Sequence, residues 1–364
     1  MSGAAGGYRE LGLRPVINAA ATLTRLGGSR LAPPVPAAMA RASTEFVDVP
    51  ELQRAVGARL AERTGNTAGY VTSGAAAGLS LAVAACLDVD ERAFPLPGRP
   101  AVAICRAQRN GYDYAVELLG VEVVEFDDDP ASLTAALGPA TACVLWFAGA
   151  HYAQGAPDLV DVLAAARERG VPVLVDAAAQ IPPVSSLWHY TTGLGADAVI
   201  VSGGKGLRGP QSSGLVLGSE RIVEGCRRHG SPHHAVGRGM KVGKEEILGL
   251  LAAVEWSLER DEAAVLAGYE AGVARWVEGL RDVRGVHVER GYPSEAGQPH
   301  GRALVTPAPG SGWTAETLAD ALWQRDPRIA VLVHGDAIAL NPQTLDPGED
   351  ELVLDALRTL LEAT

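Results

Sequence analysis

The sequence is short of several things, and each shortage closes a class of function. Only four cysteines, Cys86, Cys105, Cys143 and Cys226, stand among 364 residues. None shares a Cys-x-x-Cys spacing and the first three lie in apolar surroundings, so they read as reduced core residues and exclude a disulfide scaffold or a zinc finger. Histidine offers no better metal set, because His233 and His234 are adjacent but lack a third ligand, and no metal site is predicted. Excess positive charge is missing too: a formal net charge of −12 argues against nucleic acid, whose phosphates need clustered Lys and Arg. No stretch is long and apolar enough to span a bilayer, and the first twenty residues carry no basic segment leading into an apolar run. Aromatics make up 5%, and no repeat or low-complexity segment stands out. The expectation is a cytoplasmic protein with a small-molecule partner, no nucleic acid and no membrane.

Glycine is abundant, with 43 residues, and 47% of the chain is hydrophobic, enough for a large core domain and a smaller second one. An irregular N-terminal arm is predicted over 1–49, with a turn at 31–36 before a helix through Ser43. Over 50–249 helices and strands alternate: helix Pro50–Thr64, helix Ala75–Leu87, strand Ala101–Cys105, helix Tyr112–Leu119, strand Val121–Glu125, helix Ala131–Leu137, strand Ala142–Phe147, helix Leu159–Arg169 and strand Pro172–Asp176. That alternation predicts an α/β fold with a mostly parallel sheet. Over 250–364 the reading is a linking helix and a small α+β domain. One long helical stretch runs from Glu245 to about Leu280, with Val254, Leu258, Val265 and Tyr269 on one face. Strands follow at Val286–Glu289, Gly301–Thr306 and Ala330–His334, with helices at Thr314–Arg325 and Asp350–Ala363.

The chemistry gathers in three segments. Ser202-Gly203-Gly204-Lys205-Gly206 sits between the apolar runs 198–201 and 215–217. A lysine in a glycine-rich loop between buried strands suits imine formation with a flat ligand, and Ser202 beside it suits a phosphate. A surface hairpin with a solvated lysine fits the same residues. A nucleotide P-loop does not, since Gly206 stands where that motif needs Ser or Thr. Upstream, Asp176 ends the apolar strand Val173–Val175, at the carboxyl edge where open α/β sheets place ligands. There a carboxylate can pair with a protonated pyridine nitrogen, although a helix N-cap is the plainer reading of Asp176 alone. Finally, Thr72-Ser73-Gly74-Ala75 opens an Ala-rich helix whose free amides suit a phosphate, with Ser73 as a simple cap the alternative. Together these point to pyridoxal 5'-phosphate.

These segments resemble the selenocysteine-synthase-like branch of fold-type I pyridoxal phosphate enzymes, and within it the D-glucosaminate-6-phosphate ammonia-lyase group. The likeness also includes residues 14–29, 46–53 and 237–246, and it weakens after about Arg284. It implies a homodimer or higher homo-oligomer and a lyase that removes a beta substituent from an amino acid and releases ammonia. Amino acid racemase, aminotransferase and beta-replacement synthase activities share the same first step, and a pyridoxal- or phosphate-binding regulator is the non-enzyme alternative. Selenocysteine synthases act on charged tRNA, but this acidic chain shows no long leading domain before 14–18, so a small substrate is expected.

Catalysis is assigned to Lys205 and Asp176, and cofactor binding to Thr72, Ser73, Gly74, Ala75, Arg109, Tyr112, Asp176, Gln180, Ser202 and Lys205. Arg109 or Tyr112, after the strand ending at Cys105, is expected to stack on the ring, and Gln180 to reach the ring hydroxyl. His151 follows the strand through Phe147 at the same edge and is read as a substrate residue, as is Arg208. The resemblance implies that Asn18 and Arg238 are substrate residues, with Arg238 open to being contributed across a dimer.

Overall fold

The computed structural model describes residues 7–362 apart from 88, 91, 95 and 97. Met1–Gly6 of the expected arm and Ala363 of the expected last helix lie outside the described residues. The chain forms two compact units, Arg30–Arg260 and Met1–Ser29 with Asp261–Thr364. These boundaries sit at 29/30 and 260/261, where the sequence suggested 49/50 and 249/250.

In chain order the strands are β1 (Val16–Asn18), β2 (Ala68–Thr72), β3 (Ala101–Cys105), β4 (Glu122–Phe126), β5 (Thr141–Phe147), β6 (Val173–Asp176), β7 (Ala198–Ser202), β8 (Gly214–Gly218), β9 (Val286–Gly291), β10 (Arg302–Pro307), β11 (Arg328–Ala330), β12 (Leu332–His334) and β13 (Ala337–Leu340). The helices are α1 (Pro34–Ser43), α2 (Val49–Thr64), α3 (Ala75–Cys86), α4 (Tyr114–Glu117), α5 (Pro130–Ala136), α6 (Leu159–Arg169), α7 (Glu220–His229), α8 (Lys244–Leu258), α9 (Glu262–Leu280), α10 (Ala315–Gln324) and α11 (Glu349–Glu362).

In the larger unit, seven strands make one sheet in the order β2-β8-β7-β6-β5-β3-β4. Only β8 runs against its neighbours; the ladders from β7 across to β4 are all parallel. Strands β3 and β8 are apolar and buried throughout and β6 is buried to its last residue, Asp176, as a sheet covered on both faces requires. Helix α3 is likewise buried from Gly78 to Cys86, and its Ala and Gly side chains let it lie close on the sheet. Capping sets the helix ends: Asp48 accepts from Glu51 N–H at 2.8 Å and Gly65 closes α2 in the left-handed region. The four cysteines are buried thiols.

The smaller unit holds a four-stranded antiparallel sheet, β12-β13-β10-β9, and a parallel pair, β1 and β11. Its core gathers Trp276, Leu318, Leu322, Ile338, Leu340 and Leu357. No helix among the described residues is long and apolar enough to cross a membrane.

Three expectations need correction. The stretch expected as one helix from Glu245 to Leu280 is two, because Asp261 caps a new start by accepting from Ala264 N–H at 3.1 Å. The expected strand Ala330–His334 is divided: β11 pairs with β1 and β12 with β13, so the chain changes sheets at Val331. The expected helix Tyr112–Leu119 shrinks to α4, because Asn110 Oδ1 accepts from Tyr112 N–H at 2.8 Å and holds that residue in a turn.

Candidate active site

The strand order decides what can meet. β2, β3, β5, β6 and β7 all end at one edge of the large sheet, and β8, running the other way, begins there: Gly214 lies opposite both Thr72 and Ser202. Thr72–Ala75, Asp176–Gln180, Ser202–Gly214, Phe147–Tyr152 and Cys105–Tyr112 therefore come to the same edge. This is the carboxyl edge where doubly wound sheets hold ligands.

The lysine loop is tightly folded. Gly203 N–H donates to the Ser213 carbonyl at 2.9 Å, Gly209 N–H to the Gly203 carbonyl at 2.8 Å, and Arg208 N–H to the Lys205 carbonyl at 3.0 Å. A Cβ at Gly204 would stand 2.5 Å from Gln211 Cα, and one at Gly206 would run into the Ile181 carbonyl. The glycines are thus required by close backbone approach. The chain has three lysines, Lys205, Lys241 and Lys244. Lys244 Nζ is held by Glu245 at 2.6 Å and by the Ala42 carbonyl, and Lys241 is exposed. Lys205 alone stands in the loop at the sheet edge.

Two partners define its surroundings. Its Nζ lies 5.9 Å from the centre of the Tyr112 ring, within reach of a cation–π attraction. Asp176, 7% exposed, ends β6 and accepts from Ala178 N–H at 2.9 Å. Burial pushes its carboxyl above the ordinary range, while the Ala178 N–H and the positive charge of Lys205 pull it back.

At the Thr72–Ala75 turn the hydroxyls are used locally. Thr72 Oγ1 donates to the Gly74 carbonyl at 2.8 Å and Ser73 Oγ to the Met240 carbonyl at 3.1 Å. No side chain caps α3, so Ser73 is not its cap, and the first-turn amides keep the partial positive charge of a helix start. Pyridoxal phosphate fits this donor set: an amine for its aldehyde, a buried carboxylate for its ring nitrogen, an uncapped helix start for its phosphate and an aromatic face for its ring.

The other candidates are placed as follows. Arg109 is turned to three carboxylates, Asp113 at 2.6 Å, Glu125 at 2.7 Å and Glu117 at 2.8 Å; of the two residues expected to stack, it is Tyr112 that faces Lys205. Gln180 is buried, with Ser186 Oγ donating to its carbonyl at 2.7 Å. The exposed His151 ring lies 3.9 Å from that of Tyr152, which leans on Phe147. Arg208 has a left-handed backbone (φ +57°), donates through Nε to the Arg30 carbonyl at 3.0 Å, and lies over Trp256. Arg238 is exposed. Asn18 belongs to the smaller unit, where it shapes the arm by donating to the Ala21 carbonyl at 2.9 Å and accepting from Ala20 N–H at 3.0 Å. Among the described residues, no group of three or more His, Cys, Asp or Glu is placed to hold a metal ion.

The sequence reading passed over Gln108, Asn110 and Asp113, which tie down the loop that carries Tyr112. Their signal is the polar run Arg106–Asp113 directly after the apolar strand β3.

No family model matches the chain. It is 31% identical over 376 residues, 98% of each chain, to D-glucosaminate-6-phosphate ammonia lyase of Salmonella typhimurium. It is 33% identical over 377 residues, 97% of this chain and 92% of the other, to 5'-C-glycyluridine monooxygenase-decarboxylase of a Streptomyces species. The solved structure of a D-glucosaminate-6-phosphate ammonia-lyase superposes with a TM-score of 0.84 at 29% identity over 98% of both chains. Sphingomonas wittichii serine palmitoyltransferase shares the fold, with a TM-score of 0.61 at 17% identity over 96% of this chain and 88% of that one.

Proposed function

The chain belongs to the fold-type I pyridoxal phosphate family of the D-glucosaminate-6-phosphate ammonia lyase, and on that premise we propose that it is a pyridoxal phosphate-dependent lyase. Its substrate is an amino acid with a hydroxyl or other leaving group on the beta carbon; it eliminates that group and releases ammonia. The observation that carries the reading is the meeting of Lys205, Asp176 and Tyr112 at one sheet edge.

When bound, pyridoxal phosphate supplies an electron sink for negative charge at the substrate alpha carbon. Lys205 would hold it through Nζ, and the same amine, once free, would be the group placed to take the alpha proton. Asp176 would pair with the ring nitrogen, where a cation would offset the burial that disfavours its ionised form. The start of α3, with Thr72, Ser73, Gly74, Ala75 and Ser202, receives the phosphate. Tyr112 would cover the ring and Gln180 would reach the ring hydroxyl, while Arg109 braces the Tyr112 loop through its carboxylates. Asn18, His151, Arg208 and Arg238 bind substrate, with Arg208, Arg238 and Lys241 the cations for a substrate phosphate. The working form is proposed to be a cytoplasmic homo-oligomer, at least a dimer.

A second reading, oxidative decarboxylation of such an amino acid, is supported by the full-length similarity to the monooxygenase-decarboxylase. A panel of beta-hydroxy amino acids, phosphorylated and not, assayed with and without oxygen, separates the two. Ammonia and keto acid formed without oxygen or amino acceptor support the lyase. Carbon dioxide released only with oxygen supports the second reading, and dependence on an acceptor would replace both with a transaminase.

A further inference from the structure

The ladder between β3 and β5 ends at Ile104 and Leu145, yet the end of β5 is still held on that side. Gln108, fully buried, accepts from Phe147 N–H through Oε1 at 3.1 Å. Through Nε2 it donates to the Phe147 carbonyl at 3.1 Å and to the Tyr152 carbonyl at 3.4 Å. A side-chain amide thus supplies the next rung of the sheet where the β3 backbone has turned away. On the other side, Ala148 N–H donates to the Asp176 carbonyl at 2.8 Å. This gap matters because the strand order reverses direction between β3 and β5, the switch point where a doubly wound sheet opens for its ligand.

The same residue anchors the neighbouring loop. Its carbonyl accepts from Asn110 Nδ2 at 2.8 Å, and Asn110 Oδ1 accepts from Tyr112 N–H at 2.8 Å. Asp113 accepts from Asn110 N–H at 3.2 Å and from Arg109 Nε at 2.6 Å. The ring at the end of this relay is the one that faces Lys205. Two loops from different strands therefore hang on one buried residue: the loop with His151 and Tyr152 on the Gln108 side-chain amide, and the loop with Tyr112 on its main-chain carbonyl.

We infer that Gln108 and Asn110 are positioning residues for the reaction: they set Tyr112 and the His151–Tyr152 loop against Lys205 and Asp176. The inference rests on the function proposed above, in which Tyr112 covers the cofactor ring. Neither residue touches the reacting atoms; each acts through groups that do, where displacements of an ångström change rates strongly.

The test compares wild-type holoenzyme with Asn110→Ala, Asn110→Asp and Gln108→Leu, and places Asn110→Ala also in a Tyr112→Ala background. Asn110→Ala is expected to lower kcat by about tenfold or more with little change in KM or melting temperature. It should also move the pH midpoint of the visible band of the bound cofactor. Asn110→Asp keeps the acceptor for Tyr112 N–H but loses the donor to the Gln108 carbonyl, so it should restore only part of the rate. In the Tyr112→Ala background the Asn110 change should add nothing. Gln108→Leu should lower kcat as well, and if it fails to fold, the Asn110 series decides. A lowered melting temperature with wild-type kcat and midpoint, or an undiminished Asn110→Ala effect without Tyr112, would overturn the inference alone. A wild-type protein with no visible band after loading would overturn the proposed function and this inference with it.

Discussion

Gly214 and Gly74 meet backbone against backbone: a Cβ at position 214 would fall 2.5 Å from the Gly74 carbonyl carbon and 2.7 Å from the Ala75 amide nitrogen. The exit of the lysine loop and the start of α3 are thereby packed backbone to backbone. Gly214→Ala should force them apart. The expected result is a loss of roughly 1–3 kcal/mol, the usual range for overpacking, with faster loss of cofactor on dilution. Thermal melts and cofactor retention after gel filtration check it.

Asp176 gives a prediction with a definite sign. Burial raises its folded pKa above the unfolded value, so the folded chain keeps this proton to higher pH. Cofactor-free protein therefore loses stability at this group as pH rises from about 4 toward the raised folded value, and is relieved of that loss below about 4. Asp176→Asn should melt higher than wild type at neutral pH without cofactor, and the gap should close in acid. With cofactor bound, the carboxylate gains a cationic partner and the order should reverse, while kcat falls by about a hundredfold or more. Melting curves across pH in both states, with kcat, test each half.

Arg109 holds Asp113, Glu117 and Glu125 together, and Asp113 is buried. Arg109→Ala leaves that buried carboxylate without its cation, beside Glu117 and Glu125. A destabilisation of roughly 3 kcal/mol is expected. Arg109→Lys should recover only part of it, since a compact ammonium lacks the planar span by which Nε and both terminal nitrogens of Arg109 each reach a different carboxylate. Urea unfolding of the three proteins measures this.

Arg238 is exposed and is proposed to bind a substrate phosphate. Arg238→Ala should raise KM for phosphorylated amino acids by about tenfold and leave unphosphorylated ones nearly unchanged. Equal effects on both would remove the phosphate from the account.

The large sheet was legible because its signals are local. Apolar runs such as 143–147 and 173–175 end in polar or glycine-rich turns, and strand–helix alternation fixes a parallel sheet. The placement of Lys205, Asp176 and the Thr72–Ala75 turn at one sheet edge follows from each sitting at such an end, and topology brings them together. The corrected elements depend on tertiary choices: Asp261 breaks a helix whose apolar periodicity continues past it, and the strand through Val331 serves two sheets. No element was read over Glu220–His229 or Ala337–Leu340, where α7 and β13 form. Gln108 was missed because its partners, Phe147 and Tyr152, are remote in sequence, and the carboxylates around Arg109 because Glu125 lies on the next strand.

The most direct measurement is to load the protein with pyridoxal phosphate, record its spectrum beside Lys205→Ala, reduce it with borohydride and map the modified peptide. The account predicts a visible band at roughly 410 to 430 nm in the wild type alone, and a pyridoxyl mass on the peptide containing Lys205. With two other lysines in the chain, Lys241 and Lys244, the assignment is unambiguous. A protein that stays colourless, or one that carries the label on Lys241 or Lys244, would contradict it.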